Sequence, residues 1–294
     1  MKVLVTGGSG FLGRHVLTSL LSHGHEVVTL GRSAPIGFAG VRHIQADLLH
    51  TLDPVPLLQL AEASHLLHLA WTTEHGKYWS SPLNFQWVQA TLRLVDAFCL
   101  QGGTRVVVAG TCAEYDWAHG YLREDATPCS PTTTYGVAKN ATRQMIEALC
   151  ELHGTSFAWG RIFFPFGQGE AAQRLIPSLL RVFRGEAPPF GVNANAFRDM
   201  LYVPDVAKAF LTLLSHTNQG SFNICSGQPV QIEQVVRFLA DVCRADPRQV
   251  LDLATQRPGE PHMLTGENAK LIATGWQPNW TLEQGLAAVA KEHR

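Results

Sequence analysis

No apolar run in the chain approaches the ~18 residues that a membrane span requires, so no transmembrane helix is expected. Charge of either sign is not in excess. The 23 Lys and Arg stand against 24 Asp and Glu, a formal net charge of −1. Nothing in that balance attracts nucleic acid or an anionic membrane surface, and neither is expected as a partner. The six cysteines (Cys99, Cys112, Cys129, Cys150, Cys225 and Cys243) form no C-x-x-C pair. Zinc and disulfide frameworks are therefore not expected, and a reducing cytoplasm is the expected setting. The thirteen histidines never assemble an H-E-x-x-H-like face, so no metal site is expected. Glycines interrupt the first apolar stretch after Thr6, which does not read as a signal peptide.

Apolar residues, by contrast, make up 46% of the 294 positions and charged residues 16%, enough for a sizeable core. The first 160 residues alternate short β-rich runs with helical periods. Strands are expected at Lys2–Thr6, 26–30, 41–45, 65–69, 105–109 and Ser156–Ile162, and helices at 11–23, 84–100 and 135–153. Near-continuous apolar strands separated by helices are what a parallel sheet covered on both faces requires. Beyond Arg161 the rhythm changes: residues 164–169 read as a loop, 175–184 as a helix, and Pro204-Asp205 opens another. The expected fold is a Rossmann-type, doubly wound α/β domain over 1–160, with segments of about 200–225 packing back onto it. Residues 161–294 are mainly a smaller C-terminal substrate-binding lobe.

Gly7, Gly10 and Gly13 form G-x-x-G-x-x-G between a strand and a helix. The first glycine permits a tight turn, the second lets backbone approach a pyrophosphate, and the third allows close helix–strand packing. The helix N-terminus, with Phe11 and Leu12, offers free N–H groups. A dinucleotide site follows. The second strand ends Leu30-Gly31-Arg32-Ser33, with no carboxylate for a ribose 2′-hydroxyl. Arg32 and the Ser33 hydroxyl suit a 2′-phosphate, which favours NADP over NAD.

Tyr135 and Lys139 stand four apart, on one face of a helix. A phenol near pKa ~10 is a poor base at neutral pH. An ammonium ~5 Å away at an effective dielectric of ~20 favours the phenolate by ~3 kcal/mol, roughly two pK units. That shift is expected to bring Tyr135 into range for proton exchange with a substrate oxygen. Thr111 closes an apolar strand at the edge where open α/β sheets bind ligands, placed to meet the reacting oxygen.

Taken together, Thr6 to Gly13, Asp47-Leu48, His68-Leu69-Ala70, Asn84, Thr111, Tyr135/Lys139, Arg198-Asp199 and Val203-Pro204-Asp205 resemble the extended short-chain dehydrogenases/reductases. The likeness is to their nucleotide-sugar epimerase/dehydratase branch. It continues through Asn223 to Gly275-Trp276-Gln277-Pro278, nearly the whole chain. The resemblance implies that Gly7, Gly10 and Gly13 take the cofactor pyrophosphate, Asp47 and Leu48 the adenine, and Ala70 the nicotinamide-side phosphate region. It implies that Lys139 also holds the nicotinamide ribose, that Thr111 and Tyr135 flank the reacting carbon, and that Arg198, Arg257 and Arg174 grip a substrate diphosphate. It also implies a homodimer through the helices 84–100 and 135–153.

The 4,6-dehydratases of this branch carry an Asp-Glu pair after the catalytic threonine, where this chain has Cys112 and Ala113. Neither side chain serves general acid–base elimination. The expected activity is reduction of a 4-keto-6-deoxyhexose on a nucleoside diphosphate. The alternatives are C4 epimerisation by transient oxidation, reduction of a non-nucleotide carbonyl, and a non-catalytic dinucleotide sensor. Trp71, His75, Tyr78, Trp79, Trp117 and Phe166 are expected to shape the sugar pocket.

Overall fold

The computed structural model describes residues 1–255 and 259–292. The strands are β1 (Lys2–Thr6), β2 (Glu26–Gly31), β3 (Arg42–Gln45), β4 (His65–His68), β5 (Arg105–Thr111), β6 (Tyr121–Leu122) and β7 (Ser156–Ile162). They continue with β8 (Phe164–Phe166), β9 (Phe197–Tyr202), β10 (Gly220–Ile224), β11 (Pro229–Gln231) and β12 (Met263–Gly266). The helices are α1 (Phe11–Ser22), α2 (Val55–Ala61), α3 (Leu83–Leu100), α4 (Thr134–His153), α5 (Leu175–Phe183), α6 (Val203–Ser215), α7 (Ile232–Cys243), α8 (Arg248–Leu251), α9 (Ala269–Ile272) and α10 (Leu282–Glu292).

Seven strands form one parallel sheet in the order β10-β7-β5-β4-β1-β2-β3. The two-residue period of a strand divides its side chains between two cores. Val3 and Val5 of β1 pack with Val16, Leu17 and Leu20 of α1 and with Val206 and Phe210 of α6. Leu4, between them, packs with Leu94, Val95 and Phe98 of α3 and with Ile146 of α4. This double burial is why the strands read as unbroken apolar runs. Gly154 ends α4 in the left-handed conformation, at φ 66°, with its N–H on the carbonyls of Cys150 and Glu151.

The second sheet runs β11-β9-β12-β6, with β8 also on β9. Residues 164–169 therefore do not form a simple loop. Phe164–Phe166 is a strand because Phe166 fills the core of the second lobe, 1% exposed and 5.4 Å from the Tyr202 ring. It turns into this core and does not line the cleft at the sheet edge. Leu179 and Leu180 of α5, Val235, Val236 and Leu239 of α7 and Leu286 and Val289 of α10 complete that core.

Two buried carboxylates fasten the second half. Asp199 on β9 accepts the N–H groups of Ser226 (2.7 Å), Gly227 (3.1 Å) and Gly266 (3.1 Å) and the Ser226 hydroxyl (2.6 Å). Asp205, in the first turn of α6, accepts the N–H groups of Asn279 and Trp280, while the Trp276 indole donates to its carbonyl. Among the described residues no helix is long and apolar enough to cross a membrane. Hydrogen bonds to a charged group contribute about 1.5–3 kcal/mol each, and neighbouring bonds are not additive. Asp199→Ala is expected to lower the unfolding free energy by about 2–4 kcal/mol in urea titrations; a change below about 0.5 kcal/mol would contradict this role.

Candidate active site

β1, β4 and β5 end at the same sheet edge, and a cleft of 690 Å³ opens there. Its floor begins at the glycine turn. Gly7 has φ 72°, and a Cβ on it would lie 2.8 Å from the Ala70 nitrogen. A Cβ on Gly13 would lie 2.1 Å from the Gly7 carbonyl oxygen. Neither position admits a side chain. Gly10 starts α1 with no side chain capping it, which leaves the first N–H groups of the helix free for an anion. The turn is held from below by Thr6, whose hydroxyl lies 2.8 Å from His68 Nδ1 and accepts the Ala70 N–H. His68 bridges on to the Thr91 hydroxyl at 3.0 Å, and burial pushes its pKa down to about 3, so it is neutral. This cradle fits a dinucleotide pyrophosphate.

Farther along the cleft, exposed Arg32 and Ser33 and the Asp47-Leu48 pair line the end away from Thr111. Asp47 accepts the Leu49 N–H and lies 3.1 Å from His50 Nδ1.

At the other end stand Thr111, Tyr135 and Lys139. Thr111 closes β5; its hydroxyl accepts the Ala113 N–H, and its own N–H donates to Glu114 Oε1 at 2.8 Å. Tyr135 lies in the first turn of α4, with its N–H on the Trp79 carbonyl. Its ring meets Tyr78 edge-on at 4.9 Å and Trp79 at 5.7 Å. The ammonium-driven acidification expected from the spacing is not what the side chains produce. Burial pushes the Tyr135 phenol up and Tyr78 adds to this, while the Thr111 hydroxyl pulls the other way. Lys139 Nζ instead donates to the Ala109 carbonyl at 2.9 Å and lies 3.8 Å from the centre of the Trp71 indole. Burial pulls its pKa down to about 7, against the opposing attraction of Glu114. A half-neutral lysine aimed elsewhere cannot hold a neighbouring phenol ionised.

The second lobe supplies the opposite wall. Arg174, at the start of α5, and Arg198, on β9, both line the cleft. Arg198 is committed: it binds Glu260 at 2.6 Å and the carbonyls of Phe197 and Pro261. Arg174 is the more open, 35% exposed, beside Glu170 at 3.6 Å. Arg257 lies outside the described residues. Trp71, Tyr78, Trp79 and Trp117 line the same cleft, and His75 an adjoining cavity.

Residues 3–225 match the model of the NAD dependent epimerase/dehydratase family. The chain belongs to that family. It is 30% identical to the GDP-6-deoxy-D-mannose reductase of Pseudomonas aeruginosa, over 99% of this chain and 96% of that protein. It is 28% identical to the UDP-glucose 4-epimerase of Corynebacterium glutamicum, over 96% and 92%. Among solved structures, MoeE5 in complex with UDP-glucuronic acid and NAD superposes with a TM-score of 0.86 at 29% identity, covering 100% of this chain and 99% of that one.

Against the family pattern, three acidic residues of this site were not singled out from the sequence. Glu114 is wholly buried beneath Thr111, where it also accepts Trp159 Nε1 and Arg161 Nε, each at 2.8 Å. Glu170 and Glu260 sit beside the two arginines. The one local signal was Glu114 directly before Tyr115, in a run otherwise apolar; the pairing of the other two depends on loops that meet only in three dimensions. Among the described residues no group of three or more His, Cys, Asp or Glu could hold a metal ion.

Lys139 carries a stability signature. Between its folded value of about 7 and its ordinary 10.5, the unfolded chain binds the proton and the folded chain does not. Stability therefore rises with pH across that window. Lys139→Met is expected to lose this rise and to unfold at neutral pH no earlier than the parent, as pH-dependent thermal melts will show. A variant that melts earlier with the pH slope intact would contradict the assignment.

Proposed function

We propose that the chain is an NADP-preferring reductase of a 4-keto-6-deoxyhexose carried on a nucleoside diphosphate. The observation that carries the reading is one cleft joining the glycine cradle to Thr111, Tyr135 and Lys139, with no acid–base pair for elimination beside them. Cys112 is buried, its thiol pushed up to about 12 chiefly by burial, and Ala113 has no proton to move.

A bound nicotinamide dinucleotide supplies the hydride. Gly7, Gly10 and Gly13 hold its pyrophosphate, Asp47 and Leu48 its adenosine, and Ala70 and Lys139 its nicotinamide end. Arg32 and Ser33 take a 2′-phosphate through charge-assisted hydrogen bonds. Thr111 orients the sugar carbonyl, and Tyr135 gives its phenolic proton to the oxygen as it becomes an alkoxide. A phenol kept protonated by burial suits this donation. The oxidative half of an epimerase needs the phenolate, which burial opposes; the likeness to UDP-glucose 4-epimerase keeps that second reading in view. Arg174 and Arg198, which both line the cleft, would meet the substrate diphosphate.

Exposed Phe85 and Leu100 on α3 and Met145 and Leu152 on α4 favour a homodimer through these helices. Light scattering is then expected to give twice 32.2 kDa, and a monomer at micromolar concentration would remove the dimer.

The deciding experiment is a panel of 4-keto-sugar nucleotides with NADPH and with NADH. NADPH oxidation in step with product, at a higher kcat/KM than NADH, is expected. Tyr135→Phe should lower kcat by about 10²–10⁴-fold while dinucleotide binding is retained. Turnover of a sugar nucleotide with no net change in cofactor would replace this reading with the epimerase.

A further inference from the structure

Glu170 follows β8 in a turn closed by its own N–H on the Gly167 carbonyl. Its side chain is only 6% exposed, and Oε2 is buried without a hydrogen-bond partner. The residue stands in the wall shared by the main cleft and an adjoining cavity of 300 Å³. An isolated buried carboxylate is costly unless it is paired or protonated.

The charge that acts on it is Arg174, whose Nε lies 3.6 Å from Oε1. Arg174 also favours the ionised form of Tyr78, against its burial, and the Tyr78 ring packs edge-on against Tyr135. The other charged groups on the shared wall are Arg198 and Glu260, already paired; His75 lines the smaller cavity alone. Arg14 of α1 lies against Gly169 in the preceding turn.

We propose that Glu170 takes up a proton when a substrate diphosphate engages Arg174, so that nucleotide-sugar binding is coupled to protonation of this wall residue. The inference rests on the nucleotide-sugar reading above. A diphosphate at Arg174 withdraws the carboxylate's counter-charge and brings negative charge close to it. Both effects favour the neutral acid. The proton also gives Oε2 a donor, which phosphate oxygens accept. Burial already lifts the Glu170 carboxyl to about 7, against the attraction of Arg174, so the step is accessible near neutral pH.

The test is isothermal titration of the full chain with UDP-glucose and with GDP-mannose, whose diphosphate diesters do not themselves titrate near neutral pH. Runs at pH 7.5 in Hepes and in Tris, neither of which carries a phosphate to compete at Arg174, give the protons taken up from the difference in heat. The parent is expected to take up a fraction of a proton approaching one, and its affinity to fall toward tenfold per pH unit above that point. Glu170→Gln should show a smaller uptake and a nearly flat pH profile. Lys139 and His75 are present in both proteins, so their contribution cancels in the comparison. Arg174→Gln, which leaves Glu170 neutral before ligand arrives, should bind weakly and also lose the Glu170 share of uptake. Equal proton uptake in the parent and in Glu170→Gln overturns the coupling while the nucleotide-sugar reading stands. Failure of both nucleotide sugars to bind at any pH takes down that reading, and the coupling with it.

Discussion

The buried Glu114–Arg161 pair holds the active edge of the molecule in place. One oxygen of Glu114 takes the Thr111 N–H and the Trp159 indole, the other takes Arg161 Nε, so that β5 and β7 are locked at the point where β5 ends. Arg161 passes on to the Tyr115 hydroxyl, and Tyr115 to Asn223 of β10. Asn223 then donates to the carbonyls of Leu122 and Glu267, reaching the segments that carry the second sheet. A charge pair taken wholly out of water is tolerated only when its hydrogen-bonding groups find partners, and here all three nitrogens of Arg161 and both oxygens of Glu114 do. Thr111, at the cleft end of β5, is thus fixed by the same network that joins the two halves of the molecule.

Electrostatics at Tyr135 and Lys139 turn on the balance between desolvation and Coulomb attraction. The spacing places an ammonium near a phenol, but both side chains are buried and each resists its charged form. Trp71, stacked on Trp87 and anchored by Asn84, lies over the lysine. The outcome is a protonated phenol beside a lysine whose pKa falls to about 7, which matches proton donation by Tyr135 better than proton abstraction. Helix periodicity predicted the shared face correctly; it carried no information about burial depth or about the Ala109 carbonyl that captures Nζ.

The second lobe adds two arginine–glutamate pairs to the cleft wall. Arg198 and Glu260 neutralise one another, whereas Arg174 and Glu170 form a looser pair facing the cleft. Arg198 is held by three partners and Arg174 pairs with Glu170 at longer range, and both line the cleft. In the sequence Arg198 matches the family position better than Arg174, because a motif records position and not the commitments of a guanidinium.

The sequence by itself determined the parallel sheet, the glycine turn and the Thr111–Tyr135–Lys139 edge. Each is written in local periodicity or in short spacings that one strand or one helix turn converts into geometry. Tertiary structure alone decided the protonation of the phenol and the lysine, the pairing of Glu170 and Glu260 with the arginines, and the burial of Phe166. Those depend on how far water is excluded and on which loops meet, and such quantities arise from contacts between residues distant in the chain.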